Sequence, residues 1–155
     1  MNINEPVIKL TASKNKVSPS VWFWVVSIVA LLWYLMDTFA FFMRAFMTQE
    51  VIKTMPENQQ HFYQNIPIWV NIVFACEVFG GTLGCIALLL RKKWALVLFV
   101  VSIFGVLAQT LNIWFLTDAI SIMGPPAIVM PLVAVIVGVV MIVFSKSAIS
   151  IGWLK

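Results

Sequence analysis

The sequence predicts an all-α integral membrane protein: a four-transmembrane-helix antiparallel bundle with both termini cytoplasmic and a short outward-facing surface helix in its first loop. Hydrophobic residues make up 62% of the 155-residue chain and charged residues 10%, against about 25% charged in a soluble domain. Four apolar stretches each approach the roughly 20 residues that cross a hydrocarbon core. Because little chain remains outside these stretches, we expect a single membrane domain over residues 1–155.

The first predicted helix begins after a polar, basic segment. Ser18 followed by Pro19 is typical of a helix start, where a hydroxyl caps the helix and a proline occupies its first turn. No small-residue cleavage site follows the first apolar run, so we expect that run to be retained and not removed as a signal peptide. The predicted elements are a cytoplasmic N-terminal tail at 1–17 and helices at about 18–47, 66–91, 94–117 and 126–145.

The loops between the helices are short or helical. Thr54 and Glu57 have the spacing of a capping box, which predicts a short surface helix running to about Tyr63. Residues 91–93 alone connect the second and third helices, so these two helices are expected to form an antiparallel hairpin.

The distribution of positive charge predicts the orientation in the membrane. Only Arg44 and Lys53 lie on one side of the predicted bundle, and the other eight of the ten Lys and Arg residues lie on the opposite side. Positive charge is enriched in cytoplasmic loops, so both termini and the 91–93 loop are predicted to be cytoplasmic. The basic residues are dispersed along membrane edges, and this argues against nucleic-acid binding.

Asp37 and Glu77 each interrupt a long apolar run. A charged group at bilayer depth costs about 2.5 to 3.5 kcal/mol on insertion scales, so it persists when it is paired, protonated or turned towards a polar cavity. At 1.5 Å per residue, Asp37, Glu77 and Gln109 all fall roughly 10 to 16 Å below the outer surface. Three helices thus contribute polar groups at one depth, which predicts a shared interior pocket.

Further polar and aromatic residues extend this predicted pocket. Asp37 and Arg44 share one face of the first helix but lie about 10 Å apart along its axis, so a salt bridge would require both side chains to reach towards each other. Without such a bridge, one of the two carboxylates is expected to carry a proton near neutral pH. An interhelical hydrogen-bonding role, worth about 0.6 kcal/mol, stays open for Gln109 and Asn112. The remaining predicted pocket residues are Tyr34 and Trp33.

Small residues predict where helices approach closely. Gly80 and Gly84 form a G-x-x-x-G pattern beside Glu77, where the backbone of another helix can come near. Gly81 lies on the same helix, and Gly138 belongs to a small-residue face of the fourth helix. These glycines are predicted to serve helix packing.

Several functional classes lack their sequence signals. His61 is the only histidine, and a metal site there would lack a second nitrogen ligand. Cys76 and Cys85 lie about 13 Å apart along one helix, too far to form a disulfide. The chain has no nucleotide-binding loop, catalytic triad or haem-ligating histidine pair. We therefore predict no metal, no cofactor and no enzymatic activity.

One group of proteins shares the chain's local motifs. The matching features are Phe79-Gly80-Gly81-Thr82-Leu83-Gly84-Cys85 and Arg91-Lys92-Lys93-Trp94-Ala95, together with Pro67-x-Trp69, Gln109, Met130-Pro131 and Gly152-Trp153-Leu154. With these features the chain resembles small bacterial four-helix inner-membrane proteins labelled as sugar-transporter-like or DoxX-like. The resemblance implies a bacterial inner-membrane location and assigns no catalytic or binding residue.

Three functions are compatible with these patterns. The first is a solute or proton-coupled transport component that uses the acidic pocket, with a homo-oligomer or a membrane partner to complete the path. The second is an accessory or assembly subunit that packs against a membrane partner through its small-residue faces. The third is a lipid- or quinone-interacting protein. In each of them the lipid bilayer is a direct partner.

Overall fold

The computed structural model describes residues 18–117 and 119–155, which form helices and turns without a strand. The predicted tail at 1–17 lies outside the described residues. Four helices are long and apolar enough to cross a membrane, which confirms the predicted all-α class at that level. The helices are α1 (Val21–Ala45), α2 (Gln49–Lys53), α3 (Glu57–Gln64), α4 (Ile68–Leu89), α5 (Trp94–Leu111, continued by a π-helical segment Asn112–Leu116), α6 (Ala119–Met123) and α7 (Pro126–Ser150).

Two helix starts differ in detail from the sequence pattern. The N-cap of α1 is Ser20, in extended backbone conformation, and not Ser18; its hydroxyl accepts from the Trp22 N–H at 3.4 Å. The helix predicted from the capping box is present as α3, but the prediction that Thr54 caps this helix is wrong. The Thr54 hydroxyl donates back to the Val51 carbonyl at 2.7 Å and ends α2, so Pro56 becomes the N-cap of α3.

The long helices pack in chain order. α4 packs against both α1 and α5, and α5 packs against α7, so α4 and α5 form the centre of the bundle. α1 and α7 meet where the Phe23 and Phe144 rings stack at 5.8 Å between centroids, with Trp153 edge-on to Phe23 at 5.6 Å. We call this end, with the 90–93 loop, the clamp end. The opposite end, formed by residues 46–67 and 119–125, is the cap end.

Backbone hydrogen bonds close the clamp end. α7 runs to Ser150, beyond the predicted end near 145, and Gly152 then turns the chain with a φ of +86°, a conformation that favours glycine. The segment folds back so that the Lys155 N–H donates to the Arg91 carbonyl at 2.7 Å and the Lys93 N–H donates to the Lys155 carbonyl at 3.1 Å. The last residues are thereby joined to the loop between α4 and α5.

The predicted packing glycines all contact helices of this same chain. A Cβ atom at Gly81 would collide with the Tyr34 ring of α1, and one at Gly84 would approach the Phe99 ring of α5 to 2.9 Å. The other two glycines face α5 as well: Gly80 contacts Ser102, and Gly138 contacts Ile103. The missing side chains therefore allow α1, α4, α5 and α7 to pack closely against one another.

Replacing Gly81 by alanine is expected to destabilise the bundle. Because the Tyr34 ring is buried and occupies the space of the new methyl group, overpacking should cost about 1–3 kcal/mol. Thermal unfolding in detergent micelles measures this as a lower Tm. The control is Leu83→Ala at a half-exposed position of the same helix, which should change stability by no more than about 0.5 kcal/mol. Equal Tm values for the two variants would contradict the packing described here.

Candidate ligand cavity in the cap end

A cavity of about 610 Å³ lies inside the cap end, between the four long helices. Its volume falls within the roughly 300 to 1,000 Å³ of typical small-molecule pockets. Residues of α3 and α6 complete the wall on the side away from the clamp end. Among its lining residues are the polar side chains of Asp37, Arg44, His61, Tyr63, Asn65, Glu77, Gln109, Thr110, Asn112 and Thr117.

Six of the seven residues predicted for the pocket line this one cavity. They are Trp33, Asp37, Arg44, Glu77, Gln109 and Asn112. The seventh, Tyr34, belongs instead to the hydrophobic core, where its ring lies 6.1 Å from Phe99. Tyr34 shares a helix stripe with Asp37, but Gly81 leaves a gap in α4 that the Tyr34 ring enters. The ring is therefore held in the interface between helices and not at the cavity wall.

Glu77 is held in place by the close approach of α4 and α5. A Cβ atom at Gly105 would lie 2.9 Å from Glu77 Cβ and 3.0 Å from the Glu77 backbone nitrogen, so only glycine fits there without a shift. The Ser102 hydroxyl donates to the Glu77 carbonyl at 2.7 Å. The Glu77 side chain is only 5% exposed, and its buried Oε2 has no hydrogen-bond partner among the described residues. Glu77 therefore presents an unsatisfied acceptor where it lines the cavity.

Asp37 reaches the same cavity from α1 and is half-buried. Trp33, one turn earlier on α1, lines the same cavity. Next to Asp37, the Thr38 hydroxyl donates to the Tyr34 carbonyl at 2.7 Å and lies 2.9 Å from the Thr82 hydroxyl of α4. Either hydroxyl can donate in this interhelical contact, and the Thr82 hydroxyl also lies within 3.4 Å of the Tyr34 carbonyl, to which it can donate. The hydrogen bond between the two hydroxyls joins α1 to α4 next to Asp37.

Arg44 does not neutralise the two carboxylates by direct contact. Its guanidinium donates to Asn71 Oδ1 at 2.8 Å and lies over the Phe74 ring at 4.8 Å from the centroid. Arg44 stays within electrostatic range of Glu77, and Glu77 within range of Asp37. Arg44 also borders a second cavity of about 190 Å³. Within the described residues, no cation is therefore bonded to Asp37 or Glu77, as expected from the two-turn separation of Asp37 and Arg44.

Gln109 and Asn112 bring the third long helix into the site. The Gln109 Oε1 atom is buried and has no partner within the part of the chain that the structure describes. This oxygen therefore makes no hydrogen bond to another helix among the described residues, and the residue itself lines the cavity. Asn112 is 6% exposed and begins the π-helical segment, where the Thr117 hydroxyl donates to the Ile113 carbonyl at 3.1 Å. π-helical turns inside α-helices often occur at functional sites.

Sequence reasoning missed several features of the site. Asn71 was not singled out, although a polar residue in an apolar run was a usable signal. The apolar wall that α7 contributes had no signal, because its residues resemble any lipid-facing position. His61 is exposed, yet it also lines the cavity, and its Nδ1 atom lies 3.2 Å from the Asn65 amide nitrogen. The described residues hold no cluster of His, Cys, Asp and Glu suited to a metal ion.

The chain matches no protein-family model, no curated protein and no solved structure. The resemblance to sugar-transporter-like and DoxX-like proteins therefore stays a prediction. Any functional argument rests on the cavity and the residues that line it.

Gly105→Ala is expected to destabilise the α4–α5 contact at Glu77. Two of the three atoms nearest to the new methyl group are backbone atoms of α4, which cannot rotate away, so we expect a loss of about 1–3 kcal/mol. Thermal unfolding in detergent measures the loss. Leu107→Ala, on the exposed face of the same helix, is the matched control and should stay within about 0.5 kcal/mol of the unmodified protein. An unchanged Tm for Gly105→Ala would show that the helices do not approach this closely.

Proposed function

We propose that this protein is a small multi-pass membrane protein that binds a solute in the cap-end cavity, as a component of solute or proton-coupled transport. One observation carries the proposal. Glu77 Oε2 and Gln109 Oε1 are buried acceptors without a hydrogen-bond partner among the described residues, and both residues line the same cavity. Leaving a buried acceptor unsatisfied costs about 1–3 kcal/mol, and more for a charged group. A ligand that donates hydrogen bonds offsets this cost.

The two carboxyl groups supply the means of coupling to protons. Asp37 and Glu77 lie within electrostatic range of each other, and the Arg44 guanidinium is bonded to Asn71. In a low-dielectric site, two neighbouring carboxylates do not both stay charged without a partner. Glu77 therefore has two stable states: protonated, or ionised and paired with a donor on the ligand. Exchange between these states links ligand binding to proton movement.

The orientation follows from the basic residues. Eight of the ten Lys and Arg residues belong to the N-terminal tail, the 91–93 loop and the segment after the fourth apolar stretch. By the positive-inside rule we assign the clamp end to the cytoplasm and the cap end, with its surface helix α3, to the outside of a bacterial inner membrane. In this orientation the cavity lies in the outward half of the bundle.

Four helices are few for a complete translocation path, so a second copy or a membrane partner belongs to the proposal. α1 and α7 bury a smaller share of their apolar windows, 17% each against 39% for α4 and α5, and they are the surfaces available for it. The assembly-subunit alternative depended on the glycine faces. Those faces contact helices of this same chain, so the cavity supports the transport interpretation better. No reaction is proposed.

Labelling by dicyclohexylcarbodiimide tests the role of Glu77. This apolar reagent modifies protonated carboxyl groups inside membranes, and mass spectrometry locates the adduct. We expect an adduct on Glu77 in the wild-type protein, its loss in Glu77→Gln, and its retention in Glu50→Gln, which alters a carboxyl group outside the cavity. Glu77→Gln should also weaken binding of a donor ligand about 10- to 100-fold, because a charged hydrogen bond is lost.

The outcome that contradicts the proposal is defined in two steps. Failure to label Glu77 in a folded protein would contradict the proposal, because the cavity would then lack an accessible protonated carboxyl group at Glu77. The proposed ligand would be contradicted if none of four added compounds changed the labelling of Glu77. These compounds are guanidinium, D-glucose, glycerol and alkylammonium ions.

Cysteine accessibility tests the orientation. In a background without Cys76 and Cys85, a membrane-impermeant maleimide should label Glu57→Cys in intact cells, because α3 lies at the cap end. Lys93→Cys, exposed at the clamp end, should react only after the membrane is permeabilised. The reverse pattern would invert the assignment.

A further inference from the structure

The cavity has two chemically different walls. α1, α4 and α5 provide the carboxyl groups, amides and guanidinium, whereas every residue that α7 contributes is apolar. Those five residues are Pro126, Ala127, Met130, Pro131 and Ala134. A ligand that fills this space therefore needs a polar group on one side and a hydrocarbon body on the other.

The cavity also has an edge between α1 and α7. Met36 of α1 and Met130 of α7 both line it, and they are 58% and 63% exposed. A side chain that lines a cavity and is also exposed on the outer surface marks an opening. Met36 lies nine residues before the end of α1, about 13 Å along the axis, well inside a membrane-spanning helix. The opening therefore faces hydrocarbon and not water.

The charge on the polar side of the cavity, formed by α1, α4 and α5, determines which polar group a ligand should carry. No cation in the described part of the chain is bonded to Asp37 or Glu77, because Arg44 is bonded to Asn71 and stacked on Phe74. A cationic donor satisfies the unpaired acceptors and offsets the charge at the same time. Trp33 also lines the cavity, and an aromatic face attracts an ammonium group within about 6 Å.

We propose that the cavity takes an amphipathic ammonium compound that enters from the bilayer between α1 and α7, with its ammonium group against Asp37 and Glu77 and its hydrocarbon chain against α7. The inference rests on the proposed solute site and names its ligand class and its route of entry. The volume of about 610 Å³ matches a drug-sized ligand. The ammonium group belongs either to a single-chain lipophilic amine or to the headgroup of a lipid that reaches in from the membrane.

The binding test uses protection of Glu77 from dicyclohexylcarbodiimide in phosphatidylglycerol nanodiscs, which contain no ammonium lipid. Decylammonium, ethylammonium and decanoate are the probes. Burying each methylene group contributes about 0.8 kcal/mol, so decylammonium should protect at a concentration at least about 10-fold below that of ethylammonium. Decanoate, with the same chain length and the opposite charge, should not protect.

The route is tested with two matched methionine variants on α1. Met36→Trp fills the edge of the cavity and should slow protection by decylammonium at least about 10-fold more than protection by ethylammonium, which corresponds to a difference of about 1.4 kcal/mol in activation free energy. Met43→Trp is the control, because Met43 is 59% exposed on the same helix and does not line this cavity. Met43→Trp should leave both probes unchanged. Equal slowing of both probes by Met36→Trp would overturn lateral entry.

Changing the lipid composition distinguishes the two sources of the ammonium group, a lipid headgroup and a lipophilic amine. Protection of Glu77 by phosphatidylethanolamine alone, without added amine, assigns the ligand to a lipid headgroup. Protection by decylammonium alone assigns it to a lipophilic amine, and both results support the shared chemistry. Equal protection by ethylammonium and decylammonium overturns the amphipathic ligand but leaves the solute site intact. Protection by decanoate overturns the cationic ligand, and absence of labelling at Glu77 removes the solute site as well.

Discussion

The close approach of α4 and α5 at Glu77 is the contact on which the rest of the site depends. A side chain at Gly105 would collide with the Glu77 backbone, so glycine allows the two helices to approach. The Ser102 hydroxyl donates to the Glu77 carbonyl across the same interface. A hydrogen bond between helices is of modest energy inside a membrane, and packing of small residues provides much of the association. Here the two coincide at one residue. The acidic side chain is therefore directed by the backbone contact of its own helix and not by a neighbouring charge.

Much of the site could be predicted because helix geometry is nearly invariant. A fixed rise per residue and a fixed rotation are enough to bring Asp37, Glu77 and Gln109 to one level, and the structure places all three around one cavity. The same geometry shows that Arg44 lies two turns from Asp37. It does not show where the guanidinium goes instead, because Asn71 belongs to another helix. Distances along one helix follow from the sequence, whereas partners across helices follow from packing.

The missed features share a physical cause. Tyr34 and Asp37 lie on one stripe of α1, and the choice between core and cavity is made by the gap that Gly81 leaves in α4. The Thr54 hydroxyl could cap the following helix or bond the preceding turn, and it donates to the Val51 carbonyl of the preceding turn. The apolar wall of α7 consists of residues that look alike whether they face lipid or a cavity. In each case two local patterns were equally good, and the tertiary neighbour decided between them.

The clamp end also differs from the cap end in what lies between α1 and α7. Backbone bonds join Lys155 to the 91–93 loop, and the stacked rings of Phe23 and Phe144 hold α1 against α7 at the same end. At the cap end a cavity replaces such a core. Between α1 and α7 the cap end therefore offers space for a ligand, whereas stacked aromatic rings fill the corresponding space at the clamp end.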